Sequence, residues 1–221
     1  MVVQVQEPKQ DSREIWSNAL AAAAGVARQA ASSEEDLVRA VTKELRRLKL
    51  RGGVALLQPD GTLIVRGLTL STTVERQLKR LTGQSLEGYR FDPQQVDAYR
   101  QALQDRQAVF TSDRSRVIGQ MIPEQFRPLL PRIIQLLGDH PVIVAPLVLD
   151  DQLLGAMNVS APWLTPEDGP MVAALADHVA IALGNVRARV EMRVSLERER
   201  LRNQVIEAVA SSLELSDVLK K

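Results

Sequence analysis

Val142 to Leu149 is an almost wholly apolar run of strand length, closed by Asp150-Asp151 and followed by a second strand-like run, Leu153 to Val159. A run without polar alternation offers no face to water, so it predicts a central strand covered on both sides. Aspartate tolerates the left-handed backbone that a tight hairpin turn needs. Thr165-Pro166-Glu167-Asp168 then supplies a cap, a proline at the first helical position and an acidic first turn. Met171, Leu175, Val179, Ala182, Val186 and Val190 keep a three-four spacing, which carries this helix past Arg202. Its stretch from Arg187 to Arg202 is rich in Arg and Glu. Arg193 with Glu197, and Glu199 with Arg202, are placed to pair across one turn. A segment of this kind outlasts a domain core and is either solvated or paired with another helix. A covered hairpin feeding a long helix restricts the chain to a layered α/β fold.

The preceding sequence fits that frame. Residues 1–12 are polar and read as a disordered lead-in. A helix is expected over 13–31, with Ile15, Ala19, Ala22, Val26 and Ala30 on one stripe whose small alanines admit a close partner helix. Ser32-Ser33 interrupts it and caps a second helix, Glu34 to Leu48, with Leu37, Val41, Leu45 and Leu48 facing inward. Val54 to Leu57, the turn Pro59-Asp60-Gly61 and Thr62 to Leu70 form a hairpin. A helical insert follows. It comprises a helix over Thr72 to Leu81, a brief strand Tyr89 to Phe91, a helix from Asp92-Pro93 to about Gln107, a strand Val109 to Thr111, an irregular Ser112 to Met121, and a helix Pro123 to Leu137 broken or kinked by Pro128 and Pro131.

Composition narrows the function classes. The 221 residues allow one medium domain with extensions. The net charge of +1 comes from interleaved Lys, Arg, Asp and Glu, so no broad nucleic-acid face is expected. With no cysteine there is no disulfide, zinc–thiolate site or cysteine nucleophile. No apolar run approaches ~20 residues, so no membrane span is expected, and a cytoplasmic location fits the cysteine-free chain. No phosphate-binding glycine loop, G-x-S-x-G or H-E-x-x-H occurs, and enzymatic activity is not expected.

The order helix, hairpin, helical insert, hairpin, long helix resembles the GAF domain, a relative of the PAS sensors. The residues that carry the resemblance lie between Val142 and Arg187: Ala145-Pro146-Leu147 in the strand, Gly155 in its partner, Leu164 to Asp168 at the helix start, and Ala180-Ile181-Ala182-Leu183 with Asn185. It covers residues 32–187, leaving a lead-in (1–12), an N-terminal signalling or dimerisation helix (13–31) and a linker helix (188–221). The resemblance implies an α/β (α+β) fold, a central, mainly antiparallel sheet with helices on both faces. One face would carry the terminal helices and the other the insert, residues 72–137, over a pocket. It also implies a ligand-sensing regulatory role in a bacterial multidomain signalling protein, such as a two-component histidine kinase, a cyclase or a phosphatase. The alternative is a ligand-free dimerisation or spacer module. The Asn, Lys, Phe, Asp, Glu set of cyclic-nucleotide-binding GAF domains has no counterpart here. The cysteines of GAF-type methionine sulfoxide reductases and bilin-linked photoreceptors are missing. Ala31-Ser32-Ser33-Glu34-Glu35-Asp36-Leu37 is echoed by Ala210-Ser211-Ser212 with Glu214, Asp217 and Leu219, which reads as the entrance to a second, similar domain.

Candidate ligand-binding residues cluster at the insert. Phe91, Phe110 and Phe126 supply rigid apolar walls, or else simply fill the core. Asp113, Arg114, Arg116 and Arg127 could orient a polar ligand, or else belong to solvated loops. Val144 faces them from the strand. His140 and His178 lack companion ligands, so neither a metal nor another cofactor is expected. The expected partners are an unidentified small molecule and a second copy of the chain, paired through the stripe Ile15 to Ala30 and the seam Leu175 to Val190. An enclosed cavity of ~300 Å³ or more would favour sensing over the spacer reading.

Overall fold

A computed structural model describes residues 9–28 and 33–218, with side chains over 14–25 and 33–204. The elements run α1 (Lys9–Arg28), α2 (Glu34–Arg47), β1 (Arg51–Leu57), β2 (Leu63–Leu68), α3 (Thr72–Thr82), β3 (Arg90–Phe91), α4 (Asp97–Asp105), β4 (Val109–Thr111), α5 (Arg114–Met121), α6 (Leu130–Leu137), β5 (Val142–Leu149), β6 (Gln152–Ser160) and α7 (Gly169–Val218). The strands form one sheet in the order β3-β2-β1-β6-β5-β4, and every pairing is antiparallel. This is the expected α+β sandwich of helices around a sheet.

Strand alternation divides the interior into two apolar layers. Val54 and Leu56 of β1, Ile143, Ala145 and Leu147 of β5, and Met157 and Val159 of β6 face α1, α2 and α7. Ala55, Val65, Val142, Val144 and Ala156 face the insert, where α4 and α5 cover them. A third apolar group, Leu78, Ile118, Ile133 and Leu137, joins α3, α5 and α6 beyond that layer.

β5 is buried on both faces from Val142 to Leu147, as its composition demands, yet it lies one strand in from the edge, and β1 and β6 hold the centre. Position explains Pro146. β4 pairs only with Val142 to Val144, so Pro146 has no β4 partner and is paired on the β6 side alone. Asp150 and Asp151 take the expected left-handed conformations, φ 46° and 62°. At Gly155 a Cβ would stand 2.2 Å from the Ala55 carbonyl oxygen, so β1 and β6 pack closely there because the side chain is absent.

Several boundaries differ from the sequence reading. Residues 1–8 of the lead-in and residues 29–32, the end of the first helix and Ser32, lie outside the described residues, whereas 9–12 are already helical. Ser33 caps α2 as expected, its Oγ accepting from the Asp36 amide at 3.1 Å. The helix expected over Asp92 to Gln107 is a 3-10 turn, Pro93–Gln95, and then α4, because Val96 is extended and Arg106 is left-handed at φ 53°. The segment Ser112 to Met121 contains a helix, α5. Asp113 caps it by accepting from the Arg116 amide at 2.8 Å. Pro128 sits in a 3-10 stretch, Glu124–Leu129, and Pro131 occupies the first turn of α6.

The terminal helices depart from expectation in one respect. The buried side of α1 is Trp16, Ala19 and Ala23, and it packs on α7 and α2 of the same chain. Trp16 is the anchor. Its Nε1 donates to Asp168 Oδ1 at 2.8 Å, and its ring meets Trp163 edge to face at 5.8 Å. Part of α7 is long and apolar enough to cross a membrane by length and composition, but Val172, Leu175, Val179, Leu183 and Val186 are committed to the core. α7 continues through Ala210-Ser211-Ser212 without a break.

Candidate functional site

Between the sheet and the insert lies a cavity of about 130 Å³. Its walls are apolar: Leu78 from α3, Val117 and Ile118 from α5, Ile133 from α6, with Leu86 and Met121. Its floor is the insert-facing side of the sheet. Antiparallel register puts Val142, Ser160 and Arg51 side by side across β5, β6 and β1, and Val144, Asn158 and Gly53 in the next row. Polar side chains at three of these places, Arg51, Ser160 and Asn158, give an otherwise apolar cavity one polar end.

Each polar group there has a definite role. Arg51 Nη1 donates to the Leu137 carbonyl. Arg114, at the start of α5, reaches the same carbonyl at 3.1 Å, the Gly138 carbonyl at 3.2 Å and Ser160 Oγ at 3.2 Å. Burial, and next the nearby charge of Arg51, hold the Arg114 guanidinium below its ordinary value. Neither arginine takes part in any ion pair among the described residues. Asn158 Nδ2 donates to Tyr99 Oη at 2.8 Å, and burial pushes the Tyr99 phenol up to about 12, so it stays neutral. Tyr89 Oη donates to the Met121 carbonyl at 2.6 Å and ties the β2–β3 side to the end of α5.

Of the residues singled out from sequence, Arg114 lines this cavity and the other seven do not. Phe91 is core, stacked edge to face on Tyr99 at 5.1 Å. Phe110 packs on the terminal-helix side of the sheet, because β4 registers it against Ile143. Phe126 is half-buried in the 3-10 stretch before α6. Asp113 is spent on capping α5, Arg116 pairs with Asp97 at 2.7 Å, and Arg127 pairs with Glu124 at 3.3 Å on the surface. Val144 is fully buried beside Asn158. Phe110, Asp113 and Arg116 instead border an open groove of about 300 Å³ at the sheet edge, where the Asp97 charge is already met by Arg116 and Gln120.

Arg51, Tyr99 and Asn158 are site residues that the sequence reading did not select. Alternation along Ala156, Asn158 and Ser160 was the available signal: polar residues on the insert-facing side of a strand whose other side is Met157 and Val159. His140 sits beside the two arginines. Burial and their charges lower its pKa, with Asp139 acting in the opposite sense.

The comparisons with known proteins agree with this architecture. The family model described as GAF domain matches residues 31–184, and the chain belongs to the GAF family. No curated protein matches the chain significantly. Among solved structures it is similar to the GAF domain of a phosphoenolpyruvate-protein phosphotransferase from Coxiella burnetii, at 15% identity and TM-score 0.55, covering 80% of this chain and 98% of that one. It is likewise similar to a phycocyanobilin-bound GAF domain from a cyanobacterial phytochrome, at 17% identity and TM-score 0.55, covering 79% and 96%. A free methionine-R-sulfoxide reductase from Neisseria meningitidis, in complex with its substrate, shares 11% identity at TM-score 0.54, covering 85% and 98%. At these identities the likeness is one of fold. GAF domains are commonly regulatory or sensory modules of signalling proteins.

Proposed function

We propose that this chain is a ligand-sensing regulatory module that binds a small molecule between sheet and insert and relays its presence through the terminal helices. The observation that carries this reading is the make-up of the cavity. Its polar end joins Arg51 of β1 to Arg114 of α5, so an occupant would touch the sheet and the insert at once. β5 and β6 carry the insert on one face and α7 on the other. A shift of α5 and α6 on binding would therefore be felt by the strands beneath α7. Ligand energy biases two packings of the insert, and α7 reports which is populated. The role is regulatory rather than catalytic. The reductase with a similar fold raises the question of catalysis. The cavity's polar groups are guanidinium, amide, phenol and the hydroxyls of Thr69 and Thr82, and no carboxylate or imidazole among its lining residues stands ready to activate a hydroxyl as general base. The exposed part of α7 would meet a second copy of the chain.

Cavity size favours the second reading, a ligand-free spacer. About 130 Å³ is less than the ~300 Å³ typical of ligand pockets. Native mass spectrometry of the protein from its own host separates the two. A co-purifying small molecule that is lost in Leu78→Phe, which fills the cavity, supports sensing. Bare protein mass, with hydrogen exchange of α5 and α6 as slow as that of β1 and β6, supports the spacer.

A further inference from the structure

We infer that the cavity's ligand is a small monocarboxylate with a compact apolar body, a single ring or a short branched chain, its carboxylate held between Arg114 and Arg51. This rests on the sensing reading above and names the chemistry of its site.

Three observations converge. The first is charge. Two guanidinium groups meet at one end of an apolar cavity, and both donate to the single Leu137 carbonyl. Arg114 is half-buried and Arg51 reaches it from an exposed position, and the unfavourable approach of like charges at the half-buried guanidinium is relieved by an anion between them. Asp139 is the carboxylate whose charge reaches Arg114, but it is exposed and forms no ion pair with it. The second is donor capacity. Arg114 uses only Nη1 and Arg51 only Nη1 among the described hydrogen bonds, and no unpartnered side-chain polar atom there is sealed in the packing. Nε and Nη2 of both remain able to donate. A planar carboxylate takes two such charge-assisted bonds. The third is volume. A dry apolar cavity of about 150 Å³ holds one benzene ring, and this one measures about 130 Å³. A nucleotide or an open-chain tetrapyrrole does not fit that space, and a bare inorganic anion leaves Leu78, Ile118 and Ile133 without contact.

The test is calorimetric titration of the whole chain with benzoate and 4-methylvalerate, against benzyl alcohol as the neutral probe and benzylamine as the cationic one. Benzoate or 4-methylvalerate should bind about tenfold or more tightly than benzyl alcohol, and benzylamine should not bind. Arg114→Gln should lose about tenfold or more in carboxylate affinity while leaving benzyl alcohol unchanged, and Arg51→Gln should act in the same direction. Thermal unfolding of each variant confirms that it is folded. Equal affinity for acid and alcohol, or carboxylate binding indifferent to both arginine variants, overturns the anionic class while leaving a sensing cavity in place. If none of the four probes binds, and Leu78→Phe changes nothing but stability, both the ligand class and the sensing reading fail.

Discussion

Arg51 and Arg114 donate to the same oxygen, the main-chain carbonyl of Leu137, although one stands at the start of β1 and the other at the start of α5. On the sensing proposal the relationship serves binding rather than stability. Arg114 is in no ion pair among the described residues and stands near the like charge of Arg51, so an apolar group of similar length in its stead removes burial and repulsion costs of the cation. Arg114→Met should leave the free energy of unfolding in urea within about 1 kcal/mol of wild type or raise it, since Arg51 still serves the Leu137 carbonyl. A loss of about 3 kcal/mol or more in equilibrium unfolding would show that Arg114 is there to hold the fold.

Burial, together with the same two charges, sets a pH dependence. Burial, Arg51 and Arg114 hold the His140 imidazole below its ordinary 6.5, and Asp139 opposes them. Between pH 6.5 and the lower folded value, the unfolded chain binds more protons than the folded one. Stability from this group is therefore complete above about pH 6.5 and declines as pH falls through the folded value. Asp60, held down mainly by its hydrogen bonds to Thr62, and Asp97, held down mainly by Gln120 and Arg116, start from an ordinary value of 3.8, so their effects fall at more acid pH. The melting temperature should drop between pH 7 and pH 5 in wild type and drop less in His140→Gln. Identical slopes for the two proteins would remove His140 from the explanation.

The phenylalanines separate by burial. Phe91 is 6% exposed and stacked on Tyr99, so Phe91→Ala should cost roughly 3–5 kcal/mol. Phe126 is half-buried and belongs to none of the apolar layers, so Phe126→Ala should cost about 1 kcal/mol and leave probe binding unchanged. Denaturant unfolding of the pair checks the order. A Phe126→Ala cost equal to that of Phe91→Ala would contradict it.

The layered fold was legible because its signals are local. The unbroken apolar run of β5, the Asp150-Asp151 turn and the Thr165-Pro166 helix start each speak through adjacent residues. The site was mostly not legible, for two reasons. Proximity in sequence to the insert does not mean proximity to the cavity. Strand register turns Phe110 to the far side of the sheet, and Asp113 is consumed as a cap that makes α5 a helix. The arginine that shares Leu137 with Arg114 is 63 positions earlier, counting from 51 to 114, on the first strand. Nothing local to Arg51 announces that. Its partner row, Ser160 and Val142, exists only once β1, β6 and β5 are paired. Of the stripe expected to meet a second copy, Ala19 is buried, with Trp16 and Ala23 beside it, against α7 and α2 within the chain.

That last point sharpens the expectation of self-association. With α1 docked, the surface left for a second copy is the outer part of α7. Val190, Met192, Val194, Leu196 and Leu201 are exposed there among Arg and Glu. Val190, Val194 and Leu201 are spaced by four and seven, so they lie along one side of the helix, and Met192 and Leu196 lie on the opposite side. Such a stripe is covered when two helices pair, with the flanking charges setting the register. Sedimentation equilibrium should therefore show a dimer. Val194→Glu with Leu201→Glu should weaken it about tenfold or more without changing thermal stability of the domain, whose buried residues end at Val186. Removing residues 188–221 should have the same effect. A chain that remains monomeric at high micromolar concentration, or a dimer indifferent to both changes, would defeat the assignment of the interface to α7.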